Sequence, residues 1–345
     1  MVQFRTIEAK KQTKKMGFKK KSSLSFVKLA AERTKSGGAP QKAASDDKRK
    51  LLYGEGLAYL NEVLSAIRNN QAFTLDKGLQ IIRKLASGNP AQDPALSMAL
   101  HLNDRFKFVL HHGVNVAVYA LKLAKYLDFS QENQIEIGLT ALLHDVGTAA
   151  IPDKIIYKQK KLNEQEIKIF RERPNYSYKI LQQFGADYAY LAECAAQVHE
   201  RIDGTGYPAG LKANEIHKYA QIIGLLDKYE ALIHSRPQRD KLTPFTAVKE
   251  IINTGKDQFN RKYLKALLNT FTVFPLHSYV RLNSDAIGKV IETYPDQPMR
   301  PKIRIEYDSQ NQKVLTDRVV ALPEDSLLHI VDSVTDEEIA QLSAV

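Results

Sequence analysis

The sequence predicts a mainly α-helical bundle, preceded by further helices and followed by a small antiparallel β module. Apolar residues recur three and four positions apart through most of residues 51–272, the period of helices with one buried face. Past Thr272 that period gives way to short β-branched and alternating runs separated by turn residues. Residues 1–50 show neither pattern.

Taken in order, residues 1–50 read as a basic disordered arm. Lys10-Lys11, Lys14-Lys15 and Lys19-Lys20-Lys21 cluster, and Ser36-Gly37-Gly38-Ala39-Pro40 stops any helix. Residues 51–102 form an N-terminal helical segment: Leu57, Leu60, Val63, Leu64 and Ile67 mark one helix, Leu79, Ile82 and Leu85 a second, and Gly88-Asn89-Pro90 punctuates it. Residues 103–272 make up the main helical domain. Val114, Ala117, Ala120, Leu121 and Ala124 mark its first helix and Ile135 to Leu143 its second, while Ile167, Phe170, Ile180 and Leu181 mark a third that Pro174 interrupts. Helical runs at 191–198, 222–232, 247–252 and 263–268 follow. Residues 273–345 hold four strands, at 279–282, 288–292, 302–306 and 319–322, and a short last helix from about Asp336.

With 43% hydrophobic residues the chain can build a packed core. Its single cysteine, Cys194, excludes an internal disulfide and is expected to pack on an apolar helix face. No run approaches the roughly 20 apolar residues of a membrane span. The basic N-terminus is followed by no apolar segment of signal-peptide type, so the expected location is the cytoplasm. The net charge of +11 sits in the arm: residues 1–50 hold 15 Lys or Arg against 4 Asp or Glu, leaving 35 of each for the rest. The body thus has no general attraction for nucleic acid, and only the arm has the charge to rest on anionic lipid or nucleic acid.

Chemistry concentrates where polar residues break into apolar helices. His112 lies in His111-His112-Gly113-Val114, and the run Ala141-Leu142-Leu143 ends in His144-Asp145. Asp227 interrupts Gly224-Leu225-Leu226. A buried carboxylate needs a partner or a metal. Taken alone, the His144-Asp145 pair is better explained by a hydrogen bond at a helix end. Four such residues from three helices form an N,N,O,O set suited to Fe, Mn, Zn or Mg, with Fe or Mn favoured, and helix bundles build metal sites from facing helices in this way. His101, His217, His277 and His329 fit no ligand pattern, and the register of the following residues favours His112 over His111.

These residues, with His199-Glu200-Arg201-Ile202-Asp203-Gly204-Thr205-Gly206-Tyr207-Pro208-Ala209-Gly210, Ile151-Pro152 and Ala231-Leu232-Ile233-His234-Ser235-Arg236-Pro237, resemble the HD-GYP branch of the HD superfamily of metal-dependent phosphohydrolases. The resemblance covers about residues 100–272 and implies an HD-type helical bundle and a cyclic di-GMP phosphodiesterase. It places metal ligands at His112, His144, Asp145, His199 and Asp227, and substrate contacts at Gly206, Tyr207, Arg236 and Arg239. It also implies departures. Arg173 stands where the family has a histidine, Val198 where it has the first of paired histidines, and Thr148 where it has a lysine that assists at the phosphate. One metal site is therefore complete and a second has lost two imidazoles, so weakened hydrolysis is expected. The alternative is an inactive cyclic di-GMP sensor, or a module that docks a diguanylate cyclase or a second copy of itself. Arg173 either salt-bridges a nearby acid or supplies charge where a second ion would sit. Asp203, four residues after His199, is expected to orient that imidazole.

Overall fold

Why α3 (Phe108–Tyr126) lies at the centre is plain from its sequence: it is apolar on nearly every side, with residues 112–121 all buried. A helix of that kind has to be surrounded. It packs most extensively on α4 (Gln131–Leu143) and also touches α9 (Lys218–Ile233) and α11 (Arg261–Thr270). The computed structural model describes residues 40–88, 99, 108–255, 257–271, 273–294 and 297–343. Residues 1–39 of the expected arm, His101 and the end of the N-terminal segment lie outside the described residues.

The first described helix, α1 (Pro40–Arg68), starts ahead of the expected boundary at residue 50. Pro40 accounts for this, because proline is well tolerated in a first helical turn, where its missing N–H has no partner to lose. Tyr53, Tyr59, Leu60 and Val63 form the buried stripe of α1, and Ile81, Ile82 and Leu85 that of α2 (Asp76–Ala86). Ser130 caps α4 by accepting the Asn133 N–H, which fixes where that helix begins. At its other end the chain tightens into a 3-10 turn (Val146–Ala150) and the short α5 (Asp153–Ile156).

The third expected helix is two. An Asn163–Glu166 capping box starts α6 (Glu164–Phe170), and α7 (Arg173–Leu181) begins afresh with Pro174 in its first turn. Helices α8 (Ala189–Gln197) and α10 (Pro244–Gly255) complete the bundle. Cys194 is buried on α8, as its apolar surroundings suggested.

The last segment forms a five-stranded antiparallel sheet ordered β4-β3-β2-β1-β5. Its strands are β1 (Tyr279–Leu282), β2 (Ile287–Glu292), β3 (Lys302–Tyr307), β4 (Val319–Ala321) and β5 (Ile330–Val334). The sequence reading missed β5, although Ile330-Val331 and Val334 are β-branched. One face of the sheet, with Val280, Leu282, Val290 and Ile303, joins the main core. The other face, with Ile287, Tyr307 and Val334, is covered by Ile339 and Leu342 of the last helix, α12 (Asp336–Ser343). Residues 44–345 thus form one unit around a shared core, in which the β segment is built into the helical body.

Candidate metal centre

Three of the expected ligands meet. His112 on α3, His144 at the end of α4 and Asp227 on α9 present ligand atoms within 4.8 Å of one another. His112 Nε2 lies 3.0 Å from Asp227 Oδ1 and His144 Nε2 lies 3.9 Å from the same oxygen. Two donors about 2 Å from a shared ion, at right angles to each other, would stand about 3 Å apart, so this spacing fits one small cation.

The tautomers fit as well. His112 Nδ1 faces Glu230 Oε2 at 2.5 Å, closer than Arg236 Nη2 at 3.0 Å, and a carboxylate can only accept, so this nitrogen carries the proton. His144 Nδ1 donates to the Ala141 carbonyl at 2.7 Å. Its Nε2 is buried and without any hydrogen-bond partner. An orphaned imidazole nitrogen beside a carboxylate and a second imidazole is the donor set a divalent ion requires.

Electrostatics follow the same geometry. Burial opposes protonation of His112, but Glu230 and the hydrogen bonds to both carboxylates outweigh it and hold the imidazole up at about 9. Burial likewise opposes ionisation of Asp227, and the hydrogen bond from His112 with the nearby His144 imidazole keeps its carboxyl well below the usual range. His199 is different: burial, only partly offset by Asp227, pushes it down to about 3, so its imidazole is neutral. Its Nδ1 is 3.6 Å from Asp227 Oδ2, on the far side of that carboxylate from His112.

Asp145 is close but occupied. Its Oδ2 accepts from Arg173 Nη1 at 2.6 Å, and both side chains are largely buried. Arg173 also donates to the Phe170 carbonyl, approaches His199 Nε2 with Nη2 at 3.5 Å, and lies over the Phe170 ring. The two readings of Arg173 therefore merge, since it salt-bridges an acid and places a permanent charge in the site. Gly147 makes this possible. A Cβ there would come within 2.2 Å of the Arg173 carbonyl oxygen, so only glycine lets α7 press against the 3-10 turn that follows Asp145.

A cleft of about 580 Å³ opens over these groups, lined by His112, Asp145, Thr148, Arg173, His199, Tyr207, Asp227 and Arg236 among others. Thr148 is buried with its hydroxyl unpartnered. Tyr207 stacks on His199, with ring centroids 5.0 Å apart, and Arg171 lies over its ring. Arg236 lines the cleft while bonding Glu230 at 2.7 Å. Arg239 does not line it, because its guanidinium binds the carbonyls of Ala231 and Leu232 at the end of α9. Gly206 serves the loop itself, as a Cβ there would strike the Glu200–Arg201 backbone. Asp203 does not orient His199; it accepts from the Thr205 amide and hydroxyl instead. Val198 is buried in the core.

Two buried acids escaped the sequence reading. Glu230 holds His112, Asn115 and Arg236; its position one turn after Asp227, on the same face of α9, was the available signal. Glu200 accepts the backbone N–H groups of Ala209, Gly210 and Leu211 and so anchors the glycine-rich loop.

The HD domain family model matches residues 97–262, and a model of a KOW domain associated with the HD domain matches residues 279–342. A cyclic di-GMP phosphodiesterase of Pseudomonas aeruginosa is 25% identical over 290 residues, 83% of this chain and 70% of that one. The cyclic di-GMP phosphodiesterase PdeB of Borreliella burgdorferi is 30% identical over 204 residues, 59% of this chain and 53% of that one. The chain thus carries an HD domain and is similar to HD-GYP cyclic di-GMP phosphodiesterases. A solved structure, the HDG"Y"P protein Bd1817 from Bdellovibrio bacteriovorus, has a similar fold, with a TM-score of 0.54 at 17% identity, over 70% of this chain and 75% of that one. The HD domain match begins after α1 and α2, which nevertheless share its core. Among the described residues, no helix is long and apolar enough to cross a membrane.

Proposed function

We propose that this chain holds one divalent ion, iron or manganese, through His112, His144 and Asp227, and hydrolyses a phosphodiester bond of cyclic di-GMP or a related phosphoester. The observation that carries this reading is the buried, unpartnered Nε2 of His144 converging with His112 and Asp227. The names of the relatives support the substrate class. The cleft, at about 580 Å³, falls within the roughly 300–1,000 Å³ of small-molecule sites.

A bound divalent ion supplies a Lewis acid for a phosphoryl oxygen and lowers the pKa of a water. The protein's own residues do the rest. Arg173 and Arg236 bring fixed positive charge to the cleft wall, where a phosphate can be held bidentately. Phe108, Phe170 and Tyr207 offer aromatic surface against a base. His199, kept neutral by burial, offers a nitrogen beside Asp227.

A second reading is binding without turnover, and one observation favours it. Asp145 is neutralised by Arg173, which removes a carboxylate from metal ligation and leaves a single ion to balance the charge of the transition state. Losing that balance weakens hydrolysis by orders of magnitude.

The test is to count metal per chain in the purified protein and assay cyclic di-GMP, its linear product and a generic phosphodiester with Mn(II) or Fe(II). Turnover and metal that both vanish in Asp227→Ala support the enzyme. Nucleotide binding without turnover selects the sensor, and metal content unchanged in Asp227→Ala overturns the assigned centre.

A further inference from the structure

A chain of buried hydrogen bonds leaves His112 from Nδ1, the ring nitrogen that does not face Asp227, and ends on helix α1. His112 Nδ1 binds one oxygen of Glu230, and the other oxygen, Oε1, accepts from Asn115 Nδ2 at 2.9 Å. Asn115 Oδ1 in turn accepts from the Tyr53 hydroxyl at 2.6 Å. Tyr53 and Asn115 are fully buried, and the Tyr53 oxygen also faces His111 Nδ1 at 3.1 Å.

Every donor in this chain is determined. A carboxylate can only accept, so the Asn115 amide must turn its NH₂ to Glu230 and its oxygen to Tyr53, and Tyr53 must then donate. The orientation of Glu230, and through it the tautomer and ring plane of His112, is thereby tied to one hydroxyl on α1. We infer that Tyr53 is a positioning residue of the metal centre, acting through Asn115 and Glu230 to present His112 Nε2 to the ion. Tyr53 lies 44 residues before the start of the matched family segment, so the functional unit includes a helix that the family model leaves out. This rests on the metal reading proposed above and adds an outer partner to it.

Outer partners of metal-ligating histidines are worth about ten- to a hundredfold in metal affinity, and Tyr53 acts two bonds further out, so the low end applies. A buried tyrosine that merely stabilised the fold would not affect metal affinity. Tyr59 on the same helix provides the comparison: it is equally buried, donates to the Thr74 carbonyl at 3.0 Å and forms no bond to the site.

The experiment titrates the full-length protein with Mn(II), reading free ion by its paramagnetic resonance signal. Tyr53→Phe should weaken Mn(II) binding about tenfold, while Tyr59→Phe stays within about twofold of the natural protein despite a similar loss of melting temperature. In an Asn115→Ala background, Tyr53→Phe should have no further effect, because the link is already cut. Equal affinity of Tyr53→Phe and the natural protein, or equal losses in both tyrosine variants, overturns the inference and leaves the metal reading standing. Failure of the unaltered protein to bind Mn(II) or Fe(II) overturns both.

Discussion

Arg173 Nη1 lies 2.6 Å from Asp145 Oδ2, and the two side chains are only 11% and 13% exposed. Water screens such a pair little, so neither charge can be left alone at low cost. The pair also closes a gap in the sequence pattern. The turn expected to offer Asp145 to a metal ion offers it to a guanidinium instead, and the site carries a fixed cation of its own.

Arg173→Ala is therefore expected to destabilise the metal-free protein by about 3–5 kcal/mol, the range for stranding one partner of a buried pair. Replacing both partners, Arg173→Leu with Asp145→Leu, should recover much of that loss. Urea unfolding of the three proteins measures it. A loss under about 1 kcal/mol in Arg173→Ala would mean that the pair behaves like an exposed one.

How much of this was legible depended on contrast. His112, His144 and Asp227 stood out because each interrupts an apolar run, and an apolar helix has no other use for them. Glu230 and Asn115 lie on the same helices, yet single polar residues spaced along a helix read as its solvated face. Only the contact between α3 and α9 reveals that Asn115 looks inward, whereas the spacing of Glu230 from Asp227 was a signal in the sequence. Tyr53 is harder still, since a tyrosine in an amphipathic stripe serves the core whether or not its hydroxyl has a task. Arg239 and Asp203 misled for the opposite reason: near a helix end and in a turn, such side chains find backbone partners first. Strand β5 was overlooked because three of its five residues are exposed or polar.

Acidity should reveal His112. Its folded pKa is raised from 6.5 to about 9 by Glu230 against the opposing effect of burial. Raised pKa values stabilise the fold fully below the unfolded value and lose that contribution as pH climbs through the folded value. The metal-free protein is thus expected to lose stability between about pH 6.5 and pH 9. His199, with its pKa lowered by burial to about 3, acts in the opposite sense: its contribution is present above 6.5 and fades as pH falls toward 3. Melting curves of metal-free protein across this range, repeated on His112→Asn, measure the effect; the alkaline slope should flatten in that variant. Metal binding near pH 8 should also release a proton, seen as a buffer-dependent heat in calorimetry.

Gly147 sets how closely α7 approaches the turn after Asp145. Of the three atoms a Cβ would strike there, the Arg173 carbonyl oxygen and the Ser177 amide nitrogen belong to the backbone and cannot swing aside; the third is the Ser177 hydroxyl. Gly147→Ala should cost about 1–3 kcal/mol through overpacking and separate Arg173 from Asp145. Gly54→Ala on α1, where a Cβ meets nothing within 4 Å, should instead be neutral or stabilise by up to about 1 kcal/mol. Equal effects at the two positions would rule out close approach as the cause.

Glu200 carries three hydrogen bonds for the loop that bears Tyr207. Its two carboxylate oxygens accept the amides of Ala209, Gly210 and Leu211 at 2.7, 3.2 and 3.0 Å. An amide in its place keeps one accepting oxygen and turns an NH₂ toward backbone donors, so at least one N–H loses its partner. Glu200→Gln should cost about 1–3 kcal/mol, the penalty for an unmet buried polar group. The loss should be local: faster amide hydrogen exchange at residues 209–211, weaker nucleotide binding as Tyr207 loses its stacked position on His199, and unchanged metal content, because His112, His144 and Asp227 stand on helices the loop does not hold. Exchange that speeds up across α8 and α9 as well would mean that Glu200 supports the bundle and not the loop.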